Sequence, residues 1–378
     1  MVLSLVIEKG NAMSTTFIPV RRALRDFLGA DATDAICAAR SALTGEPSAA
    51  LRALAGEPVD FYPAAMQARL AGLLDRVGEP VAPAAGTTPR GAAPAAFDAA
   101  TRTAAAPRSA FGYYRVGEDG RLYLATKSEH YHTPLGHAFP GYGLLDRARR
   151  LGIPNATHNN TRGTLARRLE EALIRAANGL AADDDAGLRD VLARRDDLFT
   201  LNRVINLETG SLAVEAALKF CLARFMRIQD DAPAPVHAGR VPVFLVMGDR
   251  DGGPRGNYHG TTTLTQVLRG MWPGFAAALG EARLLKVVAI RPNCAGDLER
   301  AFAEYEKPPF KIAGFFHEII LMNYGAVVLE RAFLQDAYAR CRAAGVPAVC
   351  DEIQSGIWAP RHFLFRDYGI RPSCVAVG

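Results

Sequence analysis

Apolar runs of strand length follow one another through the second half of the chain: PVFLVM (242–247), LLKVVAI (284–290), AGFFHEIIL (313–321) and VPAVCD (346–351). Their nearly continuous apolar character suits strands buried on both faces. Between the last two lies VLERAFLQDAYARCRAAG. Here Phe333, Ala337 and Cys341 share one helical face, and Gly345 stands where a helix ends. Strand, helix, strand in this order predicts a parallel sheet with crossover helices. In such sheets ligands bind beyond the carboxyl ends of the strands. Two of these ends carry polar sequence: GDRDGGPRGNYHG after the first run, and DEIQSG, Asp351 to Gly356, after the last.

The remainder of the chain sets bounds on function. With 378 residues, 49% hydrophobic and 22% charged, the chain is ordinary for a soluble protein and too long for one small domain. The net charge of +5 is modest, and no basic run is interleaved with aromatics, which argues against nucleic acid as a partner. Cys37, Cys221, Cys294, Cys341, Cys350 and Cys374 form no CxxC pair and read as reduced thiols of a cytoplasmic protein. MVLSLVIEKG is too short for a membrane span and lacks the basic start and cleavage site of a signal peptide, and no other segment reaches membrane length. Residues 1–80 read as an Ala-rich helical extension, with PVRRALRDFL, ALTGEPSAALRALAGEP and AAMQARLAGLLDRVG as its helical stretches. Residues 81–110, dominated by Ala, Pro, Gly and Thr, read as a linker.

Three stretches carry candidate chemistry. In TGSLAVEAALKFCLARF, Val214, Leu218, Cys221 and Phe225 form one helical stripe preceded by Thr209, Gly210 and Ser211. Free N–H groups at such a start, with the helix dipole, favour a phosphate; a capped helix without a ligand has the same sequence. In NYHG, Tyr258 can stack on a flat ring or pack on the protein, and His259 can cap the loop. In DEIQSG, a buried carboxylate at Asp351 is costly unless paired. A protonated pyridine nitrogen is one such partner, and an acid in that place is the protein's usual contribution to pyridoxal phosphate chemistry. Gln354 is then placed to hydrogen-bond a ring oxygen. The alternative for Asp351 and Glu352 is a solvated acidic turn.

The order of these stretches resembles the fold-type I pyridoxal-phosphate enzymes, specifically the class III (ω-amino-acid) aminotransferases. The resemblance runs from about residue 117 to the end. DGRLYLATKSEHYHTPLGHAFPGYG is similar to the family's segment at the active-site entrance, TGSLAVEAALK to its SGTEAVEAALK, and YHG to its aromatic-His-Gly loop. Glu318, in the pair His317-Glu318, stands at the Glu of the family's Glu-Pro, and DEIQSG where it has DEVQTG. The resemblance implies a three-layer α/β fold with a mostly parallel central sheet, residues 111–200 forming the N-terminal segment of an aminotransferase and 201–378 its large cofactor-binding domain. It implies pyridoxal 5′-phosphate as cofactor and a homodimer. Amides of Gly210 and Ser211 would hold the phosphate, Tyr258 with His259 would meet the ring, Asp351 would pair with its nitrogen, Ile353 would pack on its other face and Gln354 would approach its hydroxyl. Glu318 and Glu352 would support the catalytic side. The Schiff-base lysine is expected directly after Gly378.

Departures from the family cluster on the substrate side: Ile319 for Pro, Leu321 for Gln, Tyr324 for Gly, Leu212 for Glu, and WAPR, with Trp358 and Pro360, for GRTG. They suggest a shifted substrate or reaction on a kept cofactor site. His130, His132 and His137 lack a Cys or carboxylate at ligand spacing, so no metal is expected and a polar contact to substrate or partner subunit is the reading. The implied activity moves an amino group from an amine or amino acid to a keto acid. A racemase, decarboxylase or lyase on the same fold stays open, as does a non-catalytic binding protein with residues 1–108 as a docking arm.

Overall fold

The computed structural model describes residues 19–86, 89, 91–125, 135–155, 160–356, 359 and 361–377. It contains two compact units, Met1–Thr157 with Thr161–Ala166, and His158–Asn160 with Arg167–Gly378.

In the first unit, the Ala-rich sequence forms helices Leu24–Leu28, Ala30–Thr44, Ser48–Gly56 and Ala64–Leu74. Helix Ala30–Thr44 stops at Gly45, whose φ of 76° gives the left-handed cap that glycine adopts without strain. Leu24, Leu28, Cys37, Leu51 and Ala55 pack with Leu144, Ala148 and Leu151 in one core cluster. PVRRALRDFL is not helical throughout: Arg21–Arg22 pairs antiparallel with Val59–Asp60. Within 81–110, helix Ala95–Ala100 buries no residue. Strand Pro107–Phe111 pairs with Tyr114–Gly117, which pairs in turn with Leu122–Leu124.

The second unit is a three-layer α/β fold, as the resemblance implies. Its central sheet contains β1 (Val241–Met247), β2 (Lys286–Ile290), β3 (Phe310–Glu318), β4 (Ala348–Asp351) and β5 (Cys374–Ala376). Their order is β5-β4-β3-β1-β2, and every pair is parallel. The helices that matter for the site are α1 (Gly210–Leu222), α2 (Ala295–Tyr305) and α3 (Arg331–Ala344). Gly345 ends α3 in the left-handed region, φ 62° and ψ 34°.

Side-chain alternation along the strands divides the core between the two faces. Val243, Leu245, Met247, Ile312, Phe315, Ala348 and Cys350 pack with Leu298 of α2 and with Phe333, Leu334, Ala337 and Cys341 of α3. Phe244, Val246, Ala313, Phe316 and Val349 pack on the other face with Val214, Ala217, Leu218 and Cys221 of α1. The β1 run is buried at every position because both faces are covered. Phe225 joins the α1 face as expected, although the helix stops at Leu222.

AGFFHEIIL is not one strand. β3 begins earlier, at Phe310, and leaves the sheet at Glu318; Ile320–Leu321 instead pairs antiparallel with Val327–Val328. A turn through Gly325 and Ala326, both at positive φ, joins that hairpin. Both stretches are apolar, so hydrophobicity alone does not mark the break. All six cysteines are free thiols. Among the described residues no helix is long and apolar enough to cross a membrane.

One polar group lies deep on the α3 face. The His317 Nδ1–H donates to the Glu318 carbonyl oxygen at 3.2 Å, which leaves Nε2 to accept from the Tyr338 hydroxyl at 2.8 Å. Burial is the main cause that lowers the His317 pKa to about 3, so the ring is neutral in the fold. The unfolded chain takes up this proton near the ordinary value of 6.5. Stability therefore falls as pH drops from 6.5 towards 3, at up to about 1.4 kcal/mol per pH unit. We expect His317→Leu to be less stable than the parent at pH 7 but to lose less between pH 7 and pH 5, as read by denaturant unfolding. Equal losses in the two proteins would contradict this account of His317.

Candidate functional site

The parallel register fixes which strand ends meet. Asp351, the last residue of β4, is opposite Glu318 at the end of β3 and opposite Ala376 in β5. Val349 and Asp351 share a side of the sheet by alternation, as do Phe316 and Glu318, and that side is the one covered by α1. Asp351 is 6% exposed and Glu352 0%, and Glu318 across the sheet is 4% exposed. The acid pair is thus no solvated turn.

His259 is the neighbour of Asp351. Its Nδ1 lies 2.9 Å from Asp351 Oδ2, and the ring stands edge-on to Phe316 at 6.1 Å. The Ile353 N–H donates to Asp351 Oδ1 at 3.1 Å. His259 Nε2 has no hydrogen-bond partner among the described residues.

The loop that carries Tyr258 and His259 is latched to the first turns of α1. The Thr261 N–H donates to Ser211 Oγ at 3.0 Å, and the Thr262 hydroxyl to Glu215 Oε2 at 2.8 Å. Below the loop, buried Asn257 donates through Nδ2 to the carbonyls of Pro254 and Leu268. Gly260 has φ 120°, and a Cβ there would come within 2.4 Å of Ser211 Oγ, so only glycine permits the approach. A Cβ on Gly210 would come within 2.7 Å of Ile353 Cδ1. The structure therefore brings Gly210, Ser211, His259, Asp351, Ile353 and Glu318 into one neighbourhood at the strand ends. Tyr258 is half-buried, with the Arg269 guanidinium 4.9 Å from its ring centroid, so one face of the ring is already covered.

The Thr209 side chain caps α1 by accepting the Leu212 N–H at 3.3 Å. The Gly210 and Ser211 amides, in the first turn, have no acceptor within the helix. Gln354 and Ser355 are buried, and Gln354 Oε1 and Ser355 Oγ have no hydrogen-bond partner among the described residues. Free amides at a helix start, a buried acid at a strand end and an orphaned buried amide beside it form a donor and acceptor set that fits pyridoxal 5′-phosphate. The first suits the phosphate, the second the ring nitrogen and the third the ring hydroxyl.

Glu352 is turned elsewhere. Its Oε2 accepts the Leu364 N–H at 2.9 Å and its Oε1 the Phe365 N–H at 2.6 Å. Burial pushes this carboxyl up to about 7, the two amide bonds pull it down, and the nearby acids Asp351 and Asp367 add to the rise.

Several positions that depart from the family pattern have structural roles. Ile319 and Leu321 are fully buried, and the Tyr324 hydroxyl accepts the Arg250 N–H at 3.0 Å, tying the hairpin to the loop after β1. Leu212 is 39% exposed. His137 exchanges backbone hydrogen bonds with Gly112. His130, His132, Trp358, Pro360 and Gly378 lie outside the described residues. Among the described residues no group of three or more His, Cys, Asp or Glu is placed to hold a metal. Sequence reasoning missed the latch residues Thr261, Thr262 and Glu215. The signal was present, since a run of hydroxyl residues follows YHG and Glu215 lies one helical turn beyond Ser211.

No protein-family model matches the chain. Among solved structures it is similar to N-acetylornithine aminotransferase from Stenotrophomonas maltophilia, at 19% identity and TM-score 0.46, over 73% of this chain and 58% of that one. It is also similar to a transaminase from the marine bacterium Virgibacillus, at 16% identity and TM-score 0.45, over 70% of this chain and 53% of that one. A phospholyase from Arthrobacter matches at 18% identity and TM-score 0.44, over 72% of this chain and 57% of that one. The chain spans about half the length of the solved structures it matches. At these identities and scores they do not assign the chain to a family, and the fold stands on its own strand order.

The His259–Asp351 pair gives a direct test of the site's geometry. Either single substitution, His259→Leu or Asp351→Ala, strands a buried polar partner and is expected to cost about 1–3 kcal/mol of stability. The double variant should cost less than the sum, with a coupling of about 1 kcal/mol or more in denaturant unfolding. Additive losses would mean that the pair does not form in solution.

Proposed function

We propose that this chain contains the cofactor-binding part of a pyridoxal-phosphate-dependent enzyme that transfers an amino group from an amine or amino acid to a keto acid. The observation that carries this reading is Asp351, a buried acid at the carboxyl end of a central parallel strand, held by His259 on one oxygen and beside the open first turn of α1. When bound, pyridoxal phosphate supplies an electron sink that stabilises negative charge at the substrate carbon carrying the amine.

The chain's own residues would do the rest. The Gly210 and Ser211 amides, with the dipole of α1, hold the phosphate dianion. Asp351 keeps a proton on the ring nitrogen, and His259, bonded to Oδ2, fixes the direction of that carboxyl. Gln354 offers its amide to the ring hydroxyl. Tyr258 lends an aromatic face, Ile353 packs on the opposite side of the ring, and Glu318 borders the substrate side. β5 ends beside Asp351, and a lysine directly after Gly378, as the resemblance implies, would be the residue that holds the cofactor and moves the proton. A homodimer completes this reading.

The test uses full-length protein with pyridoxal phosphate, an amine donor and a keto acid. We expect a visible absorbance band that borohydride bleaches, leaving the cofactor covalently attached, together with amino transfer that depends on the keto acid. Asp351→Asn should lower that transfer by roughly a hundredfold or more. Cofactor binding without keto-acid-dependent transfer would move the assignment to a racemase, decarboxylase or lyase. A featureless spectrum at saturating pyridoxal phosphate would contradict the enzyme reading and favour a non-catalytic protein on this fold.

A further inference from the structure

Helix Leu364–Asp367 has an unusual cap. Its N-cap residue, Phe363, makes no side-chain cap bond, and the first amides are satisfied by Glu352, distant in sequence, whose two oxygens each accept one. A Ser or Asp at the N-cap would satisfy such amides locally. The distant cap does something a local one does not: it ties the helix to the rim of the sheet.

The main chain of Glu352 strengthens that tie. Its N–H donates to the Ala376 carbonyl at 2.8 Å, and its own carbonyl accepts the Gly356 N–H at 2.8 Å. One fully buried residue therefore joins the end of β4, the end of β5, the turn 353–356 and the helix after it. That turn carries Ile353 and Gln354, and Asp351 is the preceding residue.

We propose that Glu352 is a positioning residue for the cofactor site, an inference that rests on the function proposed above. It touches no reacting group. It holds the turn so that Asp351 and Gln354 face the ring, and it fixes the exit of β5 relative to Asp351.

Two variants test this from opposite sides of the contact. Glu352→Gln keeps the shape but sets an NH2 donor against one of the amide N–H groups. Leu364→Pro removes one amide without touching Glu352. Proline is accepted at the first helical position, and Phe363, at φ −108° and ψ 128°, already has the extended backbone that precedes proline. Leu334→Ala, in α3 on the face of the sheet away from α1, is a destabilised control.

The measurements are the dissociation constant for pyridoxal phosphate, by titration of full-length protein, and the melting temperature. Glu352→Gln and Leu364→Pro are expected to weaken binding roughly tenfold to a hundredfold, the scale of an ångström-size misplacement. Leu334→Ala is expected to melt earlier with unchanged affinity. If both cap variants melt earlier but bind like the parent, Glu352 is only a helix cap and the inference is overturned. If Glu352→Gln does not fold, Leu364→Pro decides alone. If the parent protein binds no pyridoxal phosphate, the cofactor reading fails first and this inference falls with it.

Discussion

A carboxyl buried at the end of a central strand, held to one imidazole nitrogen, constrains everything around it. An unpaired acid there would cost several kcal/mol, so the neighbourhood must supply partners. His259 and the Ile353 amide do so. For His259 to arrive, the loop after β1 must cross to the α1 side of the rim, and the Ser211–Thr261 and Glu215–Thr262 bonds hold it there. Gly260 and Gly210 permit the close approach. The helix start and the acid are thus parts of one assembly, joined through a single loop.

The two faces of the sheet divide the work. The α2 and α3 face is packed with Phe315, Leu298, Phe333 and Cys341, and the deep polar pair His317 with Tyr338 is internally satisfied. The α1 side of the rim carries open polar groups, His259 Nε2 and the first-turn amides of α1, and the turn after β4 adds Gln354 Oε1. DEIQSG shows the same division at the scale of neighbouring residues. Asp351 turns to His259, while Glu352 turns to the amides of helix Leu364–Asp367.

Much of this was legible in the sequence because burial on both faces leaves a plain trace. The runs of β1 and β4, the α3 stripe and its Gly345 stop all follow from apolar spacing and one glycine. The α1 start was legible because Thr209 and Gly210 precede an apolar stripe. The end of β3 was not, since Ile319, Ile320 and Leu321 are as apolar as the strand before them, and only tertiary pairing separates the hairpin from the sheet. Nor could spacing tell the two acids of DEIQSG apart, because the partners of each are distant in sequence. The helical reading of PVRRALRDFL holds from Leu24 to Leu28 but not at its start, where Arg21–Arg22 is held by pairing with Val59–Asp60.

In the proposed function Asp351 and the first turn of α1 face the same bound ring. A crystal structure of the full-length protein grown with pyridoxal phosphate tests it most directly. We expect the phosphate on the Gly210 and Ser211 amides, the ring nitrogen at Asp351 and the Gln354 amide within hydrogen-bond reach of the ring hydroxyl. Density for the cofactor elsewhere, with Asp351 bonded to His259 and Ile353 alone, would contradict it.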